Sequence, residues 1–136
     1  MIDLATAPYG IFFLRLALGV LFLAHAYLKL FVFKPSGAAG FFVSIGFPGW
    51  LAYVTIAAEL VGAAALIFGV WPRLAALLLI PILLGTILKV HGKAGFFFDR
   101  QGGGWEYPAF WSASLLVLAL LGDGAFALVA TPFLAG

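Results

Sequence analysis

The sequence contains no cysteine. Disulfides, thiolate nucleophiles and cysteine-ligated zinc or iron–sulfur clusters are therefore excluded. Any redox chemistry has to run through a bound cofactor, a substrate or a partner. Charge is almost as scarce: Lys, Arg, Asp and Glu supply 9% of 136 residues, against about 25% in an ordinary soluble domain. So little charge could not keep a chain of this kind in water. The formal net charge of +2 rests on few residues, so it reports loop topology and not nucleic-acid binding. No heptad array, low-complexity tract or long repeat is present, which removes coiled coils and solenoids.

What is there is apolar. Hydrophobic residues make up 65% of the chain and aromatics 17%, with a mean hydropathy of +1.21. Crossing the hydrocarbon core takes about 20 predominantly apolar residues, and four stretches qualify: 10–33, 49–70, 73–91 and 106–122. Strands of a membrane β-barrel would alternate apolar and polar residues, which Leu74 to Ile87 does not. The fold expected is an all-α integral membrane four-helix bundle in a lipid bilayer, a single domain over 1–136. Leu16 to Ala26 imitates a cleavable leader, but the apolar stretch continues to Phe33, so it is read as a span.

The connections differ in kind. Gly69 and Pro72 mark a tight link that makes the second and third spans antiparallel neighbours. Pro81 should kink the third span, and Ala58 and Gly62, four apart, allow close helix approach. Residues 34–48 suggest a short interfacial helix. Residues 92–105, with Phe96, Phe97, Phe98 and three consecutive glycines, suggest a lid over a pocket or into the bilayer. Four spans put both long loops on one side and both termini on the other. Lys29, Lys34, Lys89, Lys93 and Arg100 gather at the long loops, which the positive-inside rule places in the cytoplasm.

Against this background a few ionisable residues stand out. Glu59 lies inside the second span, and Arg15, His25 and Lys29 lie in the first. Charges at bilayer depth cost a few kcal/mol each, so they face a bundle interior and mark functional pathways by default. At about 100° per residue the three first-span residues share an arc of roughly 80°. A pocket on the long-loop side follows: Glu59 at its base, His25 and Lys29 on the wall, and His91, Glu106, Tyr107 and the 92–105 loop at the mouth. Each residue also has a plainer reading. Glu59 would pair with Arg15, Lys29 and Lys89 would snorkel to the interface, and Arg73 would anchor a helix start. Trp50, Trp71, Trp105 and Trp111 would form an interfacial belt, and Asp123 would only terminate the last helix. No metal or haem is expected, because His25 and His91 should differ in depth by about 9 Å.

Several motifs recur in order: RLALGVLFLAHAYLKL (Arg15 to Leu30), FFVSIGFP (Phe41 to Pro48), AELVGAAALIFGVWPRLAALLL (Ala58 to Leu79), HGKAGFF (His91 to Phe97), GGGWEYP (Gly102 to Pro108) and GDGAFAL (Gly122 to Leu128). Their order over most of the chain resembles the DoxX family of small bacterial and archaeal membrane proteins. The resemblance implies a four-helix, multi-pass inner-membrane protein linked to redox physiology. Relatives are described as quinone-linked oxidation subunits or as partners in oxidative-stress complexes. It carries over to Arg15, His25, Lys29, Glu59, Arg73, His91, Glu106 and Tyr107.

The function expected is a quinone-interacting subunit working with a partner redox protein, or as a homo-oligomer. Glu59 and His25 would be catalytic, moving protons. Arg15, Lys29, His91, Phe96, Phe97, Phe98, Glu106 and Tyr107 would bind the ligand. The alternatives are a carrier or channel gated by Arg15, Lys29 and Glu59, and a scaffold docking a soluble redox enzyme through the Lys93–Arg100 loop.

Overall fold

The computed structural model describes residues 1–133. Among them are five α-helices: α1 (Ala7–Tyr27), α2 (Lys34–Ser44), α3 (Trp50–Phe68), α4 (Pro72–Lys89) and α5 (Glu106–Leu121). A π-helical turn, Leu28–Val32, extends α1, and a 3-10 turn, His91–Ala94, follows α4. No β-strand occurs among the described residues. Ala7–Val32, Trp50–Phe68 and Pro72–Lys89 are long and apolar enough to cross a bilayer. With 16 residues, α5 reaches about 24 Å, short of a hydrocarbon core of about 30 Å.

The helices are apolar nearly all round, so one side of each meets lipid and the other the core. Phe13, Val61, Leu88, Phe110 and Leu120 are exposed. Leu18 and Phe22 of α1, Leu66 of α3, Leu79 of α4, and Leu115 and Leu118 of α5 form the core. Glycine sets how closely α1, α3 and α4 pack. A Cβ on Gly19 would lie 2.6 Å from the Ile67 side chain, and one on Gly62 would lie 2.7 Å from Leu79. Gly62, read from the sequence as a close-approach position, serves the α3–α4 contact, and Gly19 serves α1–α3.

The tight link between α3 and α4 is as expected. Gly69 takes φ 73°, left-handed, and its amide donates to the Ala65 carbonyl at 2.9 Å, closing α3. Helix α4 stays helical through Pro81. It ends at Lys89, so His91 stands in the 3-10 turn and not on the helix.

Residues 92–105 fold back on the bundle. The Trp105 amide donates to the Gly95 carbonyl at 2.8 Å and the Glu106 amide to the Phe96 carbonyl at 3.0 Å. The Glu106 carboxylate accepts from the Phe98 amide at 3.2 Å. Gly104 is buried at φ 50°, where a Cβ would strike the Phe97 carbonyl. The loop is ordered by its own backbone, and Phe96, Phe97 and Phe98 stay exposed. At the other end of the bundle the tail after α5 crosses the α3–α4 link. Trp71 donates to the Val129 carbonyl at 2.9 Å, and Val129 donates to the Gly69 carbonyl at 3.0 Å.

Candidate functional site

The polar groups at membrane depth separate into two clusters. In the first, Glu59, only 3% exposed, lies midway along α3. Lys29 Nζ donates to both of its carboxylate oxygens, at 2.8 and 3.0 Å. Lys29 therefore does not snorkel, and Arg15 is not the partner of Glu59. A buried carboxylate needs a cation to offset its desolvation, and the flexible lysine stem supplies one from the π-turn. Such turns recur at functional sites because the wider winding re-aims side chains.

Beside this ion pair is a partly open cavity of about 1020 Å³ bounded by the end of α1, the π-turn, α2, α3 and α4. Its wall is mainly apolar, with Phe33, Phe41, Phe42 and Phe47 supplying the aromatics. Polar side chains gather at one end: His25, Lys29, Glu59, Thr86, His91 and Tyr107. The two threonines on the wall, Thr55 and Thr86, are spent within their own helices, on the Leu51 and Leu83 carbonyls.

The partners of the histidines fix their tautomers. His25 Nδ1 is 2.9 Å from the Leu21 carbonyl oxygen. A carbonyl only accepts, so Nδ1 carries the proton and Nε2 is the acceptor of the neutral ring. His91 Nδ1 likewise donates to the Gly102 carbonyl at 2.8 Å, and its Nε2 accepts from the Tyr107 hydroxyl at 2.7 Å. The loop thereby holds His91 and Tyr107 in one hydrogen-bonded chain.

A smaller chamber of about 50 Å³ adjoins the cavity and shares its polar residues. Trp111 completes its wall. This tryptophan is 6% exposed and packs against Phe22 and His25, with ring centroids at 4.5 and 4.7 Å. It is a core residue and no part of an interfacial belt. Trp50, Trp71 and Trp105, by contrast, are exposed.

The second cluster lies at the opposite end. Arg15, 1% exposed, donates from Nε to the Leu66 carbonyl at 3.0 Å and from Nη2 to the Ile67 carbonyl at 3.4 Å. It thus satisfies last-turn carbonyls of α3 and complements the negative end of that helix dipole. Asp123 does more than end a helix. It accepts from the Thr131 amide at 2.8 Å, the Thr131 hydroxyl at 2.7 Å and the Arg73 amide at 3.1 Å. Arg73 Nε donates to the Ala119 carbonyl at 2.7 Å.

The DoxX family model matches residues 10–92, which hold both clusters' first-span charges, Glu59 and His91. The chain belongs to the DoxX family. It is 34% identical over 119 residues to a Bacillus subtilis (strain 168) protein named "Putative oxidoreductase CatD", covering 88% of this chain and 84% of that one. It is 32% identical over 123 residues to a Haemophilus influenzae protein named "Uncharacterized protein", covering 89% of each. No solved structure matches.

Of the residues singled out in this DoxX chain, the structure brings together His25, Lys29, Glu59, His91 and Tyr107. Arg15 lies outside the cavity, at the far cluster. Phe96, Phe97, Phe98 and Glu106 are not on its wall either; Glu106 fixes the loop backbone. The aromatic slot comes instead from the α2 region, which the sequence marks only as interfacial. Trp111 was missed as a site residue, because near the start of the span predicted over 106–122 a tryptophan reads as belt.

Burial alone would raise the Asp123 carboxyl. The Thr131 and Arg73 hydrogen bonds and the Arg73 charge outweigh it, holding the group below its ordinary value of 3.8. A carboxyl depressed by folding contributes stability above its unfolded pKa and loses it as pH falls through the folded one. The DoxX fold should therefore loosen at its tail as pH drops below about 3.8. Asp123→Asn should be less stable at neutral pH and lack this acid limb. Hydrogen exchange at Thr131 and Val129 across pH 3 to 7 reads both effects.

Proposed function

We propose that this protein binds a quinone in the bacterial inner membrane and works with a partner oxidoreductase that supplies electrons. The observation that carries the reading is the pairing of an apolar, aromatic-walled cavity of about 1020 Å³ with a polar end built from Lys29–Glu59, His25 and His91–Tyr107. Binding sites of this size are largely apolar with few convergent polar groups. A quinone ring and its isoprenoid tail need the first, and its carbonyl oxygens need the second.

Reduction to a quinol takes two electrons and two protons. Once His91 takes up a proton at Nε2 it donates to the Tyr107 oxygen, which frees the Tyr107 hydroxyl to donate a hydrogen bond and then a proton to a quinone oxygen, His91 replacing that proton. Glu59 can pass a second proton, and Lys29 balances the charge left on it. The chain has no cysteine to carry electrons, so the electrons come from the partner, consistent with the word oxidoreductase in a relative's name. The cations at Lys34 and Lys93–Arg100 support a cytoplasmic face as the side where the partner docks.

A channel would need a polar path through the bundle. Leu18, Phe22, Leu66 and Leu115, each at most 2% exposed, fill the interior instead. Gentle detergent extraction followed by mass spectrometry of retained lipids tests the proposal. One quinone per chain, displaced by a short-chain quinone with saturation, is the expected result. Absence of both retention and saturable binding defeats it.

A further inference from the structure

Trp111 Nε1 is buried and has no hydrogen-bond partner, even though the ring lies on the wall of the 50 Å³ chamber beside Lys29–Glu59 and His91–Tyr107. Burying an indole N–H without an acceptor costs free energy comparable to a lost hydrogen bond. Every other buried polar side-chain atom among the described residues has a partner. An indole N–H only donates, and the Lys29 ammonium likewise. The acceptors on the chamber wall, the Glu59 carboxylate and His25 Nε2, do not bond the indole, and the chamber is roomy enough for the tip of a carbonyl or for one water, which needs roughly 10–15 Å³.

We infer that the chamber is the subsite for one carbonyl oxygen of a flat lipophilic ligand, with Trp111 Nε1 as the donor that positions it. The Phe22 and His25 rings hold the indole through tilted contacts, at interplanar angles of 47° and 55°, so the donor is fixed before the ligand arrives. The ring would then lie in the larger cavity, with its second oxygen away from Trp111. For the identity of the ligand this rests on the quinone reading, while the subsite itself rests on the orphaned donor.

The test uses the full chain in detergent micelles with nitrogen-labelled tryptophan. Replacing the exposed Trp50, Trp71 and Trp105 one at a time by phenylalanine identifies their indole signals and leaves that of Trp111. Three probes are titrated: a short-chain benzoquinone, a redox-inactive aromatic ketone, and an aromatic hydrocarbon of the same size. The expected result is a downfield shift of the Trp111 indole proton with both carbonyl probes and none with the hydrocarbon. Trp111→Phe should bind the quinone about tenfold more weakly, the equivalent of one hydrogen bond.

A shift with the ketone but no binding of the quinone upholds the subsite and defeats the quinone reading. Saturable quinone binding with a silent Trp111 signal and an unchanged affinity in Trp111→Phe overturns the subsite alone. An indole already bonded to water and indifferent to both carbonyl probes overturns it too, as does an equal response to the hydrocarbon. The wild-type shift decides the matter even where Trp111→Phe folds poorly.

Discussion

Glu59→Gln should lose quinone turnover and about 3 kcal/mol of stability together. The stability loss comes from the partner. Glutamine keeps the size and hydrogen-bonding capacity of the side chain but leaves the Lys29 ammonium without a counter-charge. Breaking a buried ion pair from one side costs about 3–5 kcal/mol. The lower end applies because the Lys29 side chain is 20% exposed, and water screens what it can reach. Removing both charges, in Glu59→Gln with Lys29→Met, should restore stability to within about 1 kcal/mol of wild type, since an apolar replacement of a buried pair is often neutral.

Turnover should not return in the double variant, because the proton relay has gone with the carboxylate. Denaturation midpoints in detergent for the four corners of this cycle separate the pair from its members. Quinone reduction, with the partner or a chemical reductant as electron source, reads the second effect. A stable and fully active Glu59→Gln protein would remove the anchor of the site.

Arg15→Met is expected to do the reverse, unfolding the protein more easily while leaving the ligand site intact. Its guanidinium holds the Leu66 and Ile67 carbonyls at the end of α3 and reaches the Asp123 carbonyl at 3.5 Å. Methionine keeps the apolar stem and none of the donors, so buried carbonyls are stranded at a cost of about 1–3 kcal/mol each. Two of them put the loss at about 3 kcal/mol. Lysine should rescue little, having a point charge where a planar fork is needed. Thermal unfolding followed by circular dichroism measures this, and quinone affinity should stay within twofold. A stable Arg15→Met protein that no longer binds quinone would return Arg15 to the ligand site.

The architecture was legible because apolar length is written locally. Three of the four greasy stretches gave helices long enough to cross and the fourth gave the shorter α5; Gly69 and Pro72 gave the tight link, and 34–48 gave a short helix. The site was legible only in part. A helix wheel puts Arg15, His25 and Lys29 on one arc, but it cannot say which of them meets Glu59, since that depends on depth and on a neighbouring helix. The π-turn that aims Lys29 needs one residue more than the α-repeat, and no residue type announces it. Trp111 sits near a predicted helix end, where tryptophan usually marks the interface. Only tertiary packing shows it wedged between Phe22 and His25. Asp123 gathers Thr131 and Arg73 from eight and fifty residues away, beyond any local pattern.

The packed side chains of Leu18, Phe22, Leu66 and Leu115, lying between the cavity and the far cluster, make the cavity a cul-de-sac. Protons reaching Glu59 must arrive from the long-loop side and leave by it. With electrons delivered from that same side, each turnover would be electroneutral, drawing nothing from the membrane voltage and adding nothing to it. Such a protein would fill the quinol pool without pumping, and an uncoupler should leave its rate unchanged.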